Sequence, residues 1–256
     1  AIVGGLYASG YSGKEIEKIV MDTDFYSLIR DPKSRKESSF FNKSVDKYLF
    51  SIPLKNGKIT LPSSISSGQK NVYLLKELFK NVSNVNDFSK LPIPFMCVAT
   101  NLESGNMKIF ESGDLVQSIM ASSAFPSLMD PVKIGDSIYI DGAMTVNYPS
   151  KPLKDKGIDI VIGVDLNQDL SKREDLNNII SILNQVIDFG IQKDTRRQYK
   201  HTDINIKPNL TGMTATSYDD KKKILDSGYV EGLKYAAILD QLPKREFDRL
   251  RQAANP

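Results

Sequence analysis

Residues 91–149 read LPIPFMCVATNLESGNMKIFESGDLVQSIMASSAFPSLMDPVKIGDSIYIDGAMTVNYP, and this stretch sets the expected fold. The apolar run from Phe95 to Thr100, led in by Leu91-Pro92-Ile93-Pro94, suits a strand covered on both faces. Further along, Lys108-Ile109-Phe110 reads as a short strand, Asp114 to Ser122 as a helix ended before Pro126, and Ser137 to Asp141 as another strand. A second continuous β-branched run, Ile158 to Leu166, again predicts a strand buried on both sides. Buried strands interleaved with helices predict an α/β domain with a mainly parallel central sheet.

Working outward, Ala1 to Gly10 is rich in small residues, with Ile2 and Leu6 spaced as on a closely packed helix and Gly10 placed to end it. Ser12-Gly13-Lys14-Glu15 reads as a capping box opening a second helix. Residues 31–70 form a polar, Lys- and Ser-rich excursion, in which Tyr48 to Leu54 and Lys58 to Leu61 flank Asn56-Gly57, a strong hairpin signal. Asn71 to Val82 carries helical periodicity. Ser171-Lys172-Arg173-Glu174 reads as a capping box for a long amphipathic helix through Ile179, Leu183, Val186 and Ile187 towards Tyr199. Thr202 to Lys207 alternates like a strand, and Lys221 to Leu239 reads as a closing helix.

The chain's 256 residues are 40% hydrophobic and 25% charged, the composition of a packed globular domain. Lys and Arg number 34 against 31 Asp and Glu, a net +3 too small to nominate nucleic acid as a partner. A single cysteine, Cys97, and a single histidine, His201, exclude an intramolecular disulfide and a Cys/His zinc site. Apolar runs are far shorter than the roughly 18 residues of a membrane-spanning helix.

Asp141 followed by Gly142, at the end of a strand, is a place where an α/β sheet exposes reactive groups, although a simple hairpin turn fits the same dipeptide. His201 lies in a polar strand start and is a poor candidate base; Cys97 reads as a small packing residue. Ser12 reads as an N-cap and Ser122 as part of a turn; Ser9 offers a third hydroxyl. Lys193, Arg196, Arg197, Lys200 and His201, extended by Lys221 to Lys223, offer a basic face for anionic headgroups or simply a solvated surface. Phe40, Phe41, Tyr48 and Phe50 on the excursion suit a lipid interface, a satellite core or a dimer contact.

Together these motifs resemble the patatin-like phospholipases. The family's second catalytic motif, Asp-Gly-Gly or Asp-Gly-Ala followed by Asn and Pro, matches Asp141-Gly142-Ala143, Asn147 and Pro149. The Pro92 to Thr100 run, Ser112 to Leu115, the Ala121 to Pro126 segment before Pro131-Val132, and Ala1 to Gly10 follow in family order. The basic excursion with its Asn-Gly hairpin is similar to bacterial type V secretion passengers. Asn101, Tyr148 and Ser150 depart from the family's usual Asp, Leu and Val.

The resemblance implies a three-layer α/β/α domain over residues 1–256. It implies a Ser-Asp dyad acting on acyl esters of phospholipids, with Asp141 as general base, Gly142 and Ala143 in support, and neither cofactor nor metal. Peripheral membrane contact, a homodimer, and a secreted or outer-membrane location, otherwise cytoplasmic, are further expectations. No G-x-S-x-G occurs in the sequence. The family's first strand, nucleophile elbow and glycine-rich oxyanion loop are therefore expected upstream of Ala1, and the chain alone is expected to be inert. A non-catalytic lipid- or partner-binding domain on the same scaffold is the alternative.

Overall fold

The computed structural model describes residues 1–30, 54–55, 58–59, 64–66, 68–167, 169–214 and 217–243. It opens on helix α1 (Ile2–Ala8), which ends as the sequence predicts. Gly10 adopts φ +100°, and the N–H groups of Gly10 and Tyr11 return to the carbonyls of Tyr7 and Leu6 at 3.1 and 3.2 Å. This pair of bonds satisfies carbonyls the helix end would leave open. Ser12 then caps α2 (Gly13–Asp22), and its capping box with Glu15 is formed in both directions.

After α3 (Phe25–Arg30), strands β1 (Leu54–Lys55) and β2 (Lys58–Ile59) pair antiparallel in the register Leu54↔Ile59 that a two-residue Asn56-Gly57 turn requires. The turn itself, and Phe40, Phe41, Tyr48 and Phe50, lie outside the described residues. Strand β3 (Ser64–Ser66) and α4 (Gln69–Leu78) follow, the helical pattern continuing only as a 3-10 turn at Lys80–Val82.

Next come β4 (Cys97–Asn101), β5 (Met107–Phe110), α5 (Leu115–Ser122), β6 (Ser127–Met129), β7 (Val132–Ile134) and β8 (Ser137–Asp141). The largest sheet has the order β5-β4-β8-β7, and each of its pairings is antiparallel. The expectation of a mainly parallel sheet is therefore corrected. Only residues 102–106 join β4 to β5, and Gly135-Asp136 alone join β7 to β8, connections long enough for a hairpin and too short for a crossover. Among the described residues parallel pairing is confined to β3 with β6, and to β9 (Ile162–Val164) with β10 (Ile204–Ile206), which are linked through the long helix α7 (Ile179–Gln198). Helix α6 (Ser150–Asp155) precedes β9, while α8 (Lys221–Lys234) and α9 (Ala236–Asp240) close the described chain, broken at Tyr235.

The core lies where α1, α4 and α5 meet the antiparallel sheet: Leu6, Leu75, Phe79, Phe88, Ala99 and Ile119 are buried there. Asp114, predicted at the start of α5, caps that helix by accepting from the Gln117 N–H at 2.8 Å.

Two readings in the second half are corrected. The Ser171 capping box does not form. Instead the Ser171 N–H donates to Gln185 Oε1 at 2.9 Å, folding residues 171–177 back on α7, and Asn178 with Ser181 forms the capping box. The run Ile158 to Leu166 is a strand only over β9. Its odd positions Val161 and Asp165 are buried while Ile158, Ile160, Ile162, Val164 and Leu166 are exposed, so among the described residues it is covered on one face.

The departures from the family pattern have local explanations. Asn101 Oδ1 accepts from the N–H groups of Glu103 and Ser104 at 3.0 and 2.9 Å, holding the β4–β5 turn, which an amide oxygen does as well as a carboxylate. Tyr148 reaches over Gly163, where any Cβ would collide with its phenol oxygen and Cζ, and its hydroxyl donates to Asn205 Oδ1 at 2.8 Å. Gly163→Ala is therefore expected to destabilise the fold by about 1–3 kcal/mol while Tyr148 is present, and much less in a Tyr148→Leu background. Thermal unfolding of the double-mutant cycle reads this coupling, and equal losses in both backgrounds would refute it.

Candidate active site

Strand β8 delivers Asp141 to the sheet's end, opposite Ala99 of β4. Its main chain is held on both sides: the N–H donates to the Ala124 carbonyl at 3.0 Å, and the carbonyl accepts from Thr100 Oγ1 at 2.9 Å. The buried Thr100 hydroxyl also meets Thr145 Oγ1 at 3.0 Å, which ties β4 to the segment after Asp141. That segment is a 3-10 turn, Gly142–Met144, and not the hairpin that Asp-Gly also allowed. Asp141 caps it, Oδ1 accepting the Ala143 N–H at 2.8 Å. Among the described residues Oδ2 makes no hydrogen bond, leaving one carboxylate oxygen to take a proton.

Gly142 is fixed by close approach. Its backbone lies so near Val98 that a Cβ would collide with the Val98 carbonyl. Ser122 Oγ donates to that same carbonyl at 2.5 Å, so the oxygen is occupied from the other side.

Burial is the largest influence on Asp141 and raises its pKa above the ordinary carboxylate value. The Ala143 N–H pulls it back down. The nitrogen of Ala1, at the start of α1, lies near the Asp141 carboxylate, so the first turn of α1 and Asp141 share one site. Gly5 permits this approach, because a Cβ there would press on Ile119 and Phe79. The helix start presents partial positive charge towards the carboxylate.

None of the other sequence candidates joins Asp141. Ser9 is buried with Oγ donating to the Gly5 carbonyl at 2.9 Å, Ser12 is committed to its cap, and Ser122 to Val98. His201 sits in the 3-10 turn Tyr199–His201 and makes no hydrogen bond to Asp141. Burial pushes the Cys97 thiol up to about 12, which keeps it protonated and unreactive.

Pattern reading missed the supports around this carboxylate. Thr145 carried no motif signal, and Thr100 stood out only as the end of the apolar Pro92 to Thr100 run, with no role attached. Asn147 donates to Asn167 Oδ1 at 2.9 Å, and Asn167 donates to Thr195 Oγ1 of α7 at 2.8 Å. The Asn167 N–H also bonds buried Asp165, which the Tyr199 hydroxyl and Lys207 engage from the other side. These contacts join residues far apart in sequence, so spacing could not reveal them.

An uncharacterized NTE family protein of Mycobacterium tuberculosis is 28% identical over 106 residues, 41% of this chain and 29% of that protein. A lysophospholipase NTE1 of Debaryomyces hansenii is 34% identical over 84 residues, 33% of this chain and 5% of that protein. An uncharacterized protein of Acanthamoeba polyphaga mimivirus, R571, is 27% identical over 169 residues, 64% of this chain and 50% of that protein. The chain thus spans half or less of each of these relatives. They come from a bacterium, a fungus and a virus, and give the narrower likeness to outer-membrane passengers no support. A family model described as patatin-like phospholipase matches residues 1–154, including Asp141-Gly142-Ala143, Asn147 and Pro149. On that match the chain belongs to the patatin-like phospholipase family.

Proposed function

We propose that the protein hydrolyses acyl esters of phospholipids or lysophospholipids, with Asp141 as the general base of a Ser-Asp dyad. The observation that carries this reading is a desolvated carboxylate with one oxygen fixed by Ala143 and the other unengaged, facing the first turn of α1. The nucleophilic serine is assigned to a segment entering α1 from upstream of Ala1, where its hydroxyl would meet Asp141. In acylation the serine oxygen bonds to the ester carbonyl carbon while its proton passes to Asp141 Oδ2. Collapse of the tetrahedral adduct breaks the bond to the alcohol, which leaves with the proton from Asp141. Water then attacks the acyl-serine, again giving its proton to Asp141, and the serine departs reprotonated. The family membership and the lysophospholipase relative support the ester class of the substrate.

We assign residues 155–256 to the same α/β/α domain. Tyr148 to Asn205, Ser150 Oγ to the Gln198 carbonyl at 2.6 Å, and Asn147 to Asn167 bind the family-matched segment to the later elements.

The test is active-site labelling of the full-length protein with a fluorophosphonate probe, followed by peptide mapping. The expected adduct lies on a serine preceding Ala1. An adduct on a serine within residues 1–256 would move the nucleophile. Absence of both labelling and esterase activity would leave a non-catalytic lipid-binding domain as the better reading.

A further inference from the structure

Helix α7 buries one side and leaves the opposite one open. Ile191, Thr195 and Gln198 are buried, and Gln185 on the flank is covered by Ser171. On the other side Ile179, Leu183, Val186 and Phe189 are 74%, 56%, 57% and 51% exposed. Those four follow one another in steps of three or four residues, so they form a single stripe. The same steps continue to Lys193, Arg196 and Arg197, all exposed, and among the described residues none of these cations makes an ion pair. The nearest carboxylate, Asp194, lies at the edge of the stripe with Oδ2 turned inward and buried.

We propose that this face of α7 is a docking surface for an anionic lipid bilayer, resting on the lipid-ester reading above for the nature of the surface. Three turns of exposed aliphatic and aromatic side chains followed by about one and a half turns of unpaired cations match the acyl-headgroup boundary and the negative headgroup layer in turn. Nucleic acid would use the cations and leave Ile179 to Phe189 in water. A second copy packed antiparallel would set Lys193 and Arg197 against the partner's apolar half, burying cations with no carboxylate to receive them.

The face is linked to the candidate site. Thr195, on the buried side of α7, accepts from Asn167, and Asn167 accepts from Asn147 in the segment after Asp141. Docking through α7 thus holds the site beside the membrane that supplies its substrate.

The experiment is co-sedimentation of the full-length protein with phosphatidylcholine vesicles, with and without about one-third phosphatidylglycerol. Binding is expected to be tighter on the anionic vesicles and to weaken as salt rises. Lys193→Gln with Arg197→Gln should weaken anionic-vesicle binding roughly thirtyfold, at about fivefold per cation. Val186→Ser with Phe189→Ser should weaken binding to both vesicle types. Unchanged binding in the charge variant would overturn the proposal. So would a dimer of the parent protein, seen by sedimentation equilibrium, that dissociates in the Val186/Phe189 variant, because the stripe would then be an interface between copies. Hydrolysis of a monomeric, water-soluble ester is expected to survive in both variants. If the parent protein lacks that hydrolysis, the catalytic reading fails while vesicle binding still reports on α7.

Discussion

Asp141→Asn in the full-length protein is expected to lower kcat for ester hydrolysis by ~10²–10⁴-fold, the contribution of a positioned general base, with KM little changed. The substitution is nearly isosteric, and the amide oxygen can still accept the Ala143 N–H that Oδ1 accepts at 2.8 Å. What it removes is the oxygen that would take the serine proton in the proposed dyad. Burial raises the Asp141 pKa, so the proposed base is lost to protonation at a higher pH than an ordinary carboxylate. Activity should therefore fall along an acid limb whose midpoint lies above the ordinary carboxylate value, and Asp141→Asn should flatten that limb. The effect on stability runs the other way. A carboxyl whose folded pKa exceeds its unfolded one favours the fold at low pH and loses that contribution as pH rises through the folded pKa. At neutral pH the ionised, half-buried group is thus a cost, and the Asn variant should melt no lower than the parent. A folded variant that keeps its full rate would remove Asp141 from the mechanism.

Gly142→Ala is expected to have the largest effect on stability, about 3 kcal/mol or more, because the added methyl meets the Val98 main chain and not a movable side chain. The strain falls on the 3-10 turn that presents the Ala143 N–H to Asp141, so activity should fall together with the denaturation midpoint. Gly13→Ala is the matched control. Gly13 begins α2 with no atom within 4 Å of the place a methyl would take, and that substitution should be neutral or mildly stabilising. Equal behaviour of the two variants in chemical denaturation would show that the contact at Val98 is relieved by a small shift.

Much of the local structure was legible in the sequence, and the reasons are local. Ser12 with Glu15, Gly10 after α1, Asp114 before α5 and the register around Asn56-Gly57 each depend on groups a few residues apart. The candidate base was legible because Asp141, Gly142 and Ala143 are consecutive, and their geometry is that of one turn. Strand direction was not. An apolar run such as Phe95 to Thr100 reports burial, and burial is the same for parallel and antiparallel neighbours; the short connections β4–β5 and β7–β8 decided it. Ser171 failed as a cap because Gln185, far along the chain, claimed its backbone.

The sequence by itself determined the family motifs, the carboxylate and the helix caps, since each is written in adjacent residues. Tertiary structure alone decided that Thr100 and Thr145 clamp the turn after Asp141, that Gly142 answers to the Val98 carbonyl, and that the start of α1 faces the carboxylate. It also decided which side of α7 stays open to solvent. These are meetings between distant segments, and their energies depend on distance and desolvation in the folded chain, quantities that no spacing in the sequence carries.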